Sequence, residues 1–69
     1  MKNYTLVAKK GECKLWHHTR YSHTWLITVC GYDYEGLRDT TEKQALNYFN
    51  SLSEAEAISD LFYPEAKEA

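Results

Sequence analysis

The sequence is short of the features that mark membrane proteins and secreted domains. Its 69 residues include two cysteines and one proline. No stretch approaches the roughly 20 apolar residues of a membrane-spanning helix, and the N-terminal segment lacks the apolar run of a signal peptide. We therefore expect a cytoplasmic protein with no membrane partner, in which the thiols of Cys13 and Cys30 are free.

Motifs for catalysis and metal binding are also missing. The residues of the right type for zinc are Cys13, His17, His18, His23 and Cys30. They include no C-x-x-C pair and no histidine pair at helical spacing. His18 and His23 would supply at most two ligands, and both cysteines fall in predicted strands, where Cys behaves as a small hydrophobe. We predict no metal site, no cofactor and no enzymatic activity.

The composition is that of one small folded domain. Hydrophobic residues make up 43% of the chain and aromatic residues 14%, which is too rich for a disordered protein. Residues 1–69 therefore form a single domain. A domain of this size buries only about 60% of its unfolded surface, so its stability is marginal without a staple or a partner subunit.

Alternating side chains predict a β-meander in residues 1–39. The clearest strands are Asn3–Lys9, Cys13–His18 and Thr24–Cys30, which are rich in β-branched and aromatic residues. Lys10-Gly11 is a plausible hairpin turn, and residues 19–22 form the next loop. Gly31 is interpreted as a bulge before a turn at Glu35-Gly36, and residues 37–39 are a short fourth strand or a loop.

Capping boxes predict helices in residues 40–64. Thr41-x-x-Gln44 and Ser53-x-x-Glu56 each precede an apolar stripe at helical spacing. Two short helices hinged at Leu52-Ser53 and ended by Pro64 are favoured over one kinked helix, and residues 65–69 are expected to fray. The predicted fold is α+β: a three- to four-stranded antiparallel β-meander followed by two short C-terminal helices packed on one face.

The predicted sheet is apolar on both faces, although the helices can cover only one. The turns pair Leu6 with Leu15, and Trp16 with Trp25. One face then holds Tyr4, Leu6, Ala8, Cys13, Leu15, His17, Leu26, Thr28 and Cys30, and the other holds Thr5, Val7, Lys14, Trp16, His18, His23, Trp25, Ile27 and Val29. We assign the helices to the first face, whose side chains are smaller. The reverse assignment is the alternative.

This assignment predicts a binding surface. Trp16, Trp25 and Ile27 would be exposed together with Lys14 and His18, and an apolar patch of that kind marks an interface. Charge is also distributed unevenly along the chain: residues 1–30 carry a net charge of +4 and residues 31–69 a net charge of −6. The acidic run is either the solvated side of a helix or a contact surface that imitates nucleic-acid phosphates. Its proposed contact residues are Glu54, Glu56 and Asp60.

The plan of the chain suggests an accessory protein. In size, in its sheet-then-helix order and in its acidic helices it is similar to small accessory proteins of phages and mobile elements, including anti-CRISPR proteins, although no residue motif carries this likeness. We predict a non-enzymatic protein-binding module that inhibits or modulates a host protein or protein complex. A single-stranded nucleic-acid binder that uses Trp16 and Trp25 is the alternative, and the second apolar face is also compatible with a homodimer.

Overall fold

The computed structural model describes residues 2–63, which form a four-stranded sheet and two helices. The strands are β1 (Tyr4–Lys10), β2 (Cys13–His18), β3 (Trp25–Val29) and β4 (Tyr32–Leu37), and the helices are α1 (Glu42–Ser51) and α2 (Glu54–Phe62). All neighbouring strands are antiparallel, in the order β1-β2-β3-β4. The predicted α+β meander is confirmed, with two separate helices. Pro64 and the tail at 65–69 lie outside the described residues.

The pairing of β2 with β3 differs from the predicted register by one residue. Trp16 lies opposite Leu26, and Leu15 lies opposite Ile27. A hydrogen bond from the His18 N–H to the Thr24 carbonyl, 3.0 Å long, joins the two ends of the connecting loop. Because side chains alternate along a strand, a slip of one residue moves every side chain of β3 to the other face. The predicted pairing of Trp16 with Trp25 is therefore wrong.

The first hairpin also departs from the predicted register. Its turn lies at Gly11-Glu12, so that Ala8, and not Leu6, is opposite Leu15. A bulge at Val7 then shifts the register, and Leu6 lies opposite Trp16. The extra residue of a bulge changes which face the following side chains occupy. Leu6 and Tyr4 consequently share a face with Trp16.

The turn between β3 and β4 is Cys30-Gly31. Both residues have positive φ, 54° and 85°, as the two central residues of a type I′ hairpin turn do. The prediction of a bulge at Gly31 is therefore wrong, and β4 continues through the predicted turn at Glu35-Gly36. The pairing shifts between Ile27 and Thr28, which leaves Tyr34 as an extra residue in β4.

Both helices pack on one face of the sheet, which we call the covered face. The buried core joins side chains of β2 and β3 to three small or aromatic helix residues: Cys13, Leu15, Trp25, Ile27, Val29, Ala45, Phe49 and Ala57. Trp25 is 3% exposed and Ile27 is fully buried. The prediction that these two side chains form an exposed patch is wrong, because the register slip turns them towards the helices.

Side chains cap both helices at the predicted residues, with the two bonds of a capping box at α1 and the N-cap bond of Ser53 at α2. The Thr41 hydroxyl accepts the Gln44 N–H at 3.2 Å, and the Gln44 side chain accepts the Thr41 N–H at 3.0 Å. The Ser53 hydroxyl accepts the Glu56 N–H at 3.3 Å. These bonds satisfy backbone donors that have no partner within a helix.

Lys10 binds the C-terminal end of α1. Its ammonium group donates to the carbonyl oxygens of Phe49 at 3.2 Å and Asn50 at 3.1 Å, and also to that of Leu52. The same group lies 5.6 Å from the centroid of the Phe49 ring. The last carbonyls of a helix have no intrahelical donor and carry partial negative charge, so a cation there is favourable.

The adjacent turn of the first hairpin binds the first turn of α2. The Glu54 carboxylate accepts the Glu12 N–H at 2.7 Å. Gly11 has a φ of +60°, and a Cβ at this position would collide with the Glu54 carboxylate. Glycine is therefore favoured by the positive φ, and its lack of a side chain leaves the Glu54 carboxylate in place. Together, Lys10 and Glu54 attach the hairpin to the break between the helices.

We expect Lys10→Met to lower the free energy of unfolding by about 1–2 kcal/mol, because it removes charge-assisted hydrogen bonds at a helix C-terminus. Urea denaturation followed by circular dichroism measures the change. Lys9→Met is the matched control, since Lys9 is exposed, and should change stability by less than about 0.5 kcal/mol. Equal effects of the two substitutions would contradict a specific role for Lys10.

Gly11→Ala should also destabilise the fold, by about 1–2 kcal/mol, because alanine is strained at positive φ and its methyl group displaces Glu54. A double-mutant cycle with Glu54→Ala separates the two causes. If the collision matters, the cost of Gly11→Ala falls when Glu54 is already truncated. A cost that does not change in the Glu54→Ala background would show that only the backbone strain is involved.

Candidate binding surface

The second face of the sheet, which we call the open face, has no helix over it within residues 2–63. The register places on this face the side chains that alternate with those of the core. They are Tyr4, Leu6, Lys9, Lys14, Trp16, His18, Thr24, Leu26, Thr28 and Asp33, together with the Gly36 position. This surface is the candidate functional site, since it combines exposed apolar, aromatic and cationic groups.

An apolar row crosses the middle of the open face. Leu6, Trp16, Leu26 and Gly36 lie opposite one another on the four successive strands. Leu6 is 45% exposed, and Trp16 and Leu26 are partly exposed. Cross-strand neighbours of this kind stabilise the sheet, but their outer surfaces remain in contact with water.

Trp16 is held in place by a hydrogen bond on the open face. Its indole Nε1–H donates to the Thr28 hydroxyl at 2.9 Å, and Thr28 is only 5% exposed. The polar edge of the indole is therefore already satisfied, so the surface that Trp16 offers to a partner is apolar. A side chain that is fixed before binding loses less conformational entropy when a partner covers it.

Aromatic rings cluster at one end of the open face. The His18 ring lies 4.9 Å from that of Tyr4 and 4.8 Å from that of Tyr21. His18 Nδ1 accepts backbone N–H groups from Arg20 at 3.0 Å and Tyr21 at 3.3 Å. His18 thus orders the loop that follows β2, and its Nδ1 lone pair is already used.

Positive charge surrounds the apolar row. Lys9 and Lys14 lie directly opposite each other on β1 and β2, and Asp33 on β4 is the acidic residue of this face. Arg38, which follows β4, is exposed at the rim. Like charges placed opposite each other destabilise a sheet, so the lysine pair weakens the domain slightly and favours an anionic partner.

A groove of about 520 Å³ lies beside the apolar row. It is lined by Tyr4, Thr24, Trp25, Leu26, Gly36, Leu37 and Arg38. Because Gly36 has no side chain, the surface next to Leu26 is left open.

The predicted contact residues separate into three groups in the structure. Trp16, His18 and Lys14 lie on the open face. Trp25 and Ile27 belong to the core, and the Trp25 indole N–H donates to the Thr40 carbonyl at 2.8 Å. The acidic residues Glu54, Glu56 and Asp60 lie on α2, in the other layer of the molecule.

Two of these three acidic residues have partners within the domain. Glu54 binds the first hairpin, as described above, and Asp60 accepts a hydrogen bond from the Tyr34 hydroxyl at 2.6 Å. Glu56 is exposed in the first turn of α2. Glu54 and Asp60 therefore have structural roles, whereas Glu56, the third predicted acidic contact, is exposed to solvent.

The sequence analysis missed several residues of the open face. Leu6, Tyr4 and Leu26 were assigned to the face beneath the helices, and Gly36 was interpreted as part of a turn. Leu6 and Tyr4 were misplaced because the bulge at Val7 has no sequence signature. Cys30-Gly31 was the available signal for the β3–β4 hairpin, and it would have put Gly36 inside β4.

Two tyrosines on the helical side have raised pKa values. The hydrogen bond to Asp60, followed by burial, raises the pKa of the Tyr34 phenol above its ordinary value. Burial, followed by the charges of Glu35 and Asp60, raises the pKa of Tyr48. Both shifts favour the neutral phenol, and that of Tyr34 donates its hydrogen bond to Asp60.

The described residues contain no group of three or more His, Cys, Asp or Glu side chains that could hold a metal ion. His17 and His18 point to opposite faces of the sheet. His17 stacks on Trp25 with ring centroids 4.1 Å apart, and its Nε2 lies 2.9 Å from the Ser22 carbonyl.

Cys13 is poorly suited to act as a nucleophile. Its side chain is fully buried, and burial, followed by the charge of Glu54, raises the pKa of the thiol. Because the thiolate is the reactive form of cysteine, both effects suppress its reactivity. Cys30 is partly exposed in the β3–β4 turn, and both cysteines are free.

Comparison with known proteins assigns no function to this surface. The chain matches no family model, no curated protein and no solved structure. Among the residues that the structure describes, neither helix is long and apolar enough to cross a membrane.

We expect iodoacetamide to modify Cys30 of the native protein well before Cys13, because Cys13 is buried and its pKa is raised. Mass spectrometry after timed quenching measures the two rates. Cys30→Asn is a suitable single-thiol control, since asparagine tolerates positive φ in this type of turn. Equally fast labelling of Cys13 in this variant with and without urea would contradict the expected protection.

Proposed function

We propose that this protein is a small non-enzymatic binding module that inhibits or modulates a partner protein or complex by covering part of its surface with the open face. The observation that carries the proposal is the exposed apolar row of Leu6, Trp16 and Leu26. A sheet face left in water is expected to be polar, and contiguous apolar surface on a small domain usually belongs to an interface.

The arrangement of Trp16 supports binding more than it supports stability. Tryptophan is among the residues that contribute most to protein interfaces, above all where neighbouring contacts exclude water. Trp16 lies at the centre of the apolar row, with its polar edge satisfied by Thr28. A partner that covers the row would therefore bury apolar surface without leaving the indole N–H unpaired.

The distribution of charge supports a defined orientation of the partner. The open face is cationic, whereas the helical layer carries Glu42, Glu54, Glu56 and Asp60. An anionic partner would be attracted to the first side and repelled from the second, which raises both the association rate and the selectivity. The cytoplasmic setting and the accessory, anti-defence type of role expected from the sequence are parts of this proposal.

A single-stranded nucleic acid is the second candidate, because Trp16, Tyr4 and His18 lie near Lys9 and Lys14. Aromatic rings and cations on a sheet face are the elements of a stacking platform. The burial of Trp25 leaves one tryptophan on this face, however. The net charge of −2 also opposes phosphate binding, which depends on neutralising several phosphates.

The proposal is tested by affinity capture from a host lysate with the wild-type protein and with Trp16→Ala, Leu6→Ala and Tyr48→Ala. Tyr48 is 41% exposed on α1 and serves as the matched control on the helical side. We expect a partner that the wild type and Tyr48→Ala retain and that Trp16→Ala loses. With the purified partner, Trp16→Ala should weaken binding by about 2 kcal/mol or more, close to thirtyfold in Kd.

Each variant must first give the wild-type circular dichroism spectrum and a cooperative melting transition. A folded Trp16→Ala variant that binds the partner as tightly as the wild type would refute the use of the open face. Tight binding of oligothymidylate at low salt, lost at higher salt, would favour the nucleic-acid alternative. A dimer in sedimentation equilibrium that Leu6→Ala dissociates would indicate that a second copy covers this face.

A further inference from the structure

The groove beside the apolar row exists because residue 36 is glycine. Gly36 lies opposite Leu26 in the sheet, and a Cβ added to it would meet no atom within 4 Å. Its φ is not in the left-handed region, where Gly11 and Gly31 lie. The backbone conformation therefore does not require glycine here, and the effect of glycine is to leave an apolar floor uncovered.

The walls of the groove have different chemistry. Tyr4, an aromatic residue of β1, and Arg38, a cationic residue that follows β4, are both among its lining residues. Arg38 is exposed, so it can approach a bound group. A guanidinium binds carboxylates through two parallel hydrogen bonds, which adds both strength and directionality. The groove thus offers a place for an apolar side chain next to a place for a carboxylate.

The cations of the open face favour an anionic occupant. Arg38 lines the groove, Lys9 and Lys14 lie on the same face nearer the first hairpin, and Asp33 is the acid on this face. The aliphatic floor at Leu26 suits an apolar protein side chain. Among the lining residues Tyr4 is the one aromatic side chain that is not buried, whereas successive bases stack on several rings. Three cations are also few for an affinity that comes from neutralising phosphates.

We infer that this groove receives an acidic segment of the partner protein, with an apolar side chain on Leu26 and Gly36 and a neighbouring carboxylate on Arg38. The inference rests on the proposed function, because it assigns a partner chemistry to the same face. In this arrangement the groove gives selectivity for the acidic segment, and the apolar row gives the apolar contact area.

The test is an NMR titration of the isotopically labelled protein with a short synthetic peptide in which aspartate alternates with leucine. A peptide with lysine in place of aspartate, and oligothymidylate, are titrated in parallel. We expect that only the acidic peptide shifts the amide signals of β4 and of Arg38. Arg38→Gln should weaken its binding about tenfold, the usual effect of losing one charge-assisted contact. Gly36→Val should also weaken binding, because its side chain would occupy the space beside Leu26 that the peptide side chain needs.

Lys43→Gln is the matched control, because Lys43 is an exposed cation on α1 and its loss should leave the affinity unchanged. Equal binding of the acidic and lysine peptides, or equal weakening by Lys43→Gln, would overturn the inference. If Trp16→Ala weakens binding but Gly36→Val and Arg38→Gln do not, the open face remains the binding surface and the groove is rejected. If oligothymidylate alone binds, the acidic-peptide inference fails.

Discussion

The attachment of the first hairpin to the break between the helices is the contact on which the two-layer structure depends. The Lys10 ammonium binds carbonyls at the end of α1, and the Glu54 carboxylate binds a backbone amide in the hairpin turn. A cation from the sheet and an anion from α2 thus each bind backbone groups of the other layer, at neighbouring positions. Gly11 permits this approach because it has no side chain. The sheet therefore directs one defined face towards the helices.

Once the helices occupy the covered face, no further element within residues 2–63 covers the apolar row of the other face. A small domain buries only part of its surface, and this one buries the larger side chains of β3 while leaving a row of Leu6, Trp16 and Leu26 in water. The hydrogen bond from Trp16 to Thr28 keeps that row ordered. The helices carry the acidic side chains of Glu42, Glu54, Glu56 and Asp60, of which Glu54 and Asp60 bind other parts of the domain. The open face therefore combines an apolar row with positive charge, and this combination is the basis of the binding role that we propose.

Local signals in the sequence predicted the elements well and their pairing poorly. The capping residues Thr41 and Ser53 are at the predicted helix starts, because a side-chain oxygen three residues before a free backbone N–H is a strictly local arrangement. The pairing of strands depends on loop closure and bulges. One residue more or less in the loop before β3, or at Val7, exchanges the two faces. Trp16, His18 and Lys14 were placed on the open face because β2 needed no correction, whereas Trp25 and Ile27 were misplaced with the rest of β3.

The sequence by itself determined the α+β class, the order of strands and helices, the helix starts and the separation of basic from acidic halves, since all of these follow from composition and short-range periodicity. Tertiary structure alone decided which apolar side chains face the helices, that Lys10 and Glu54 act as partners of the backbone, and that Gly36 and Arg38 border a groove. These features depend on contacts between residues far apart in the chain. Their geometry is set by strand register, which no single stretch of sequence specifies.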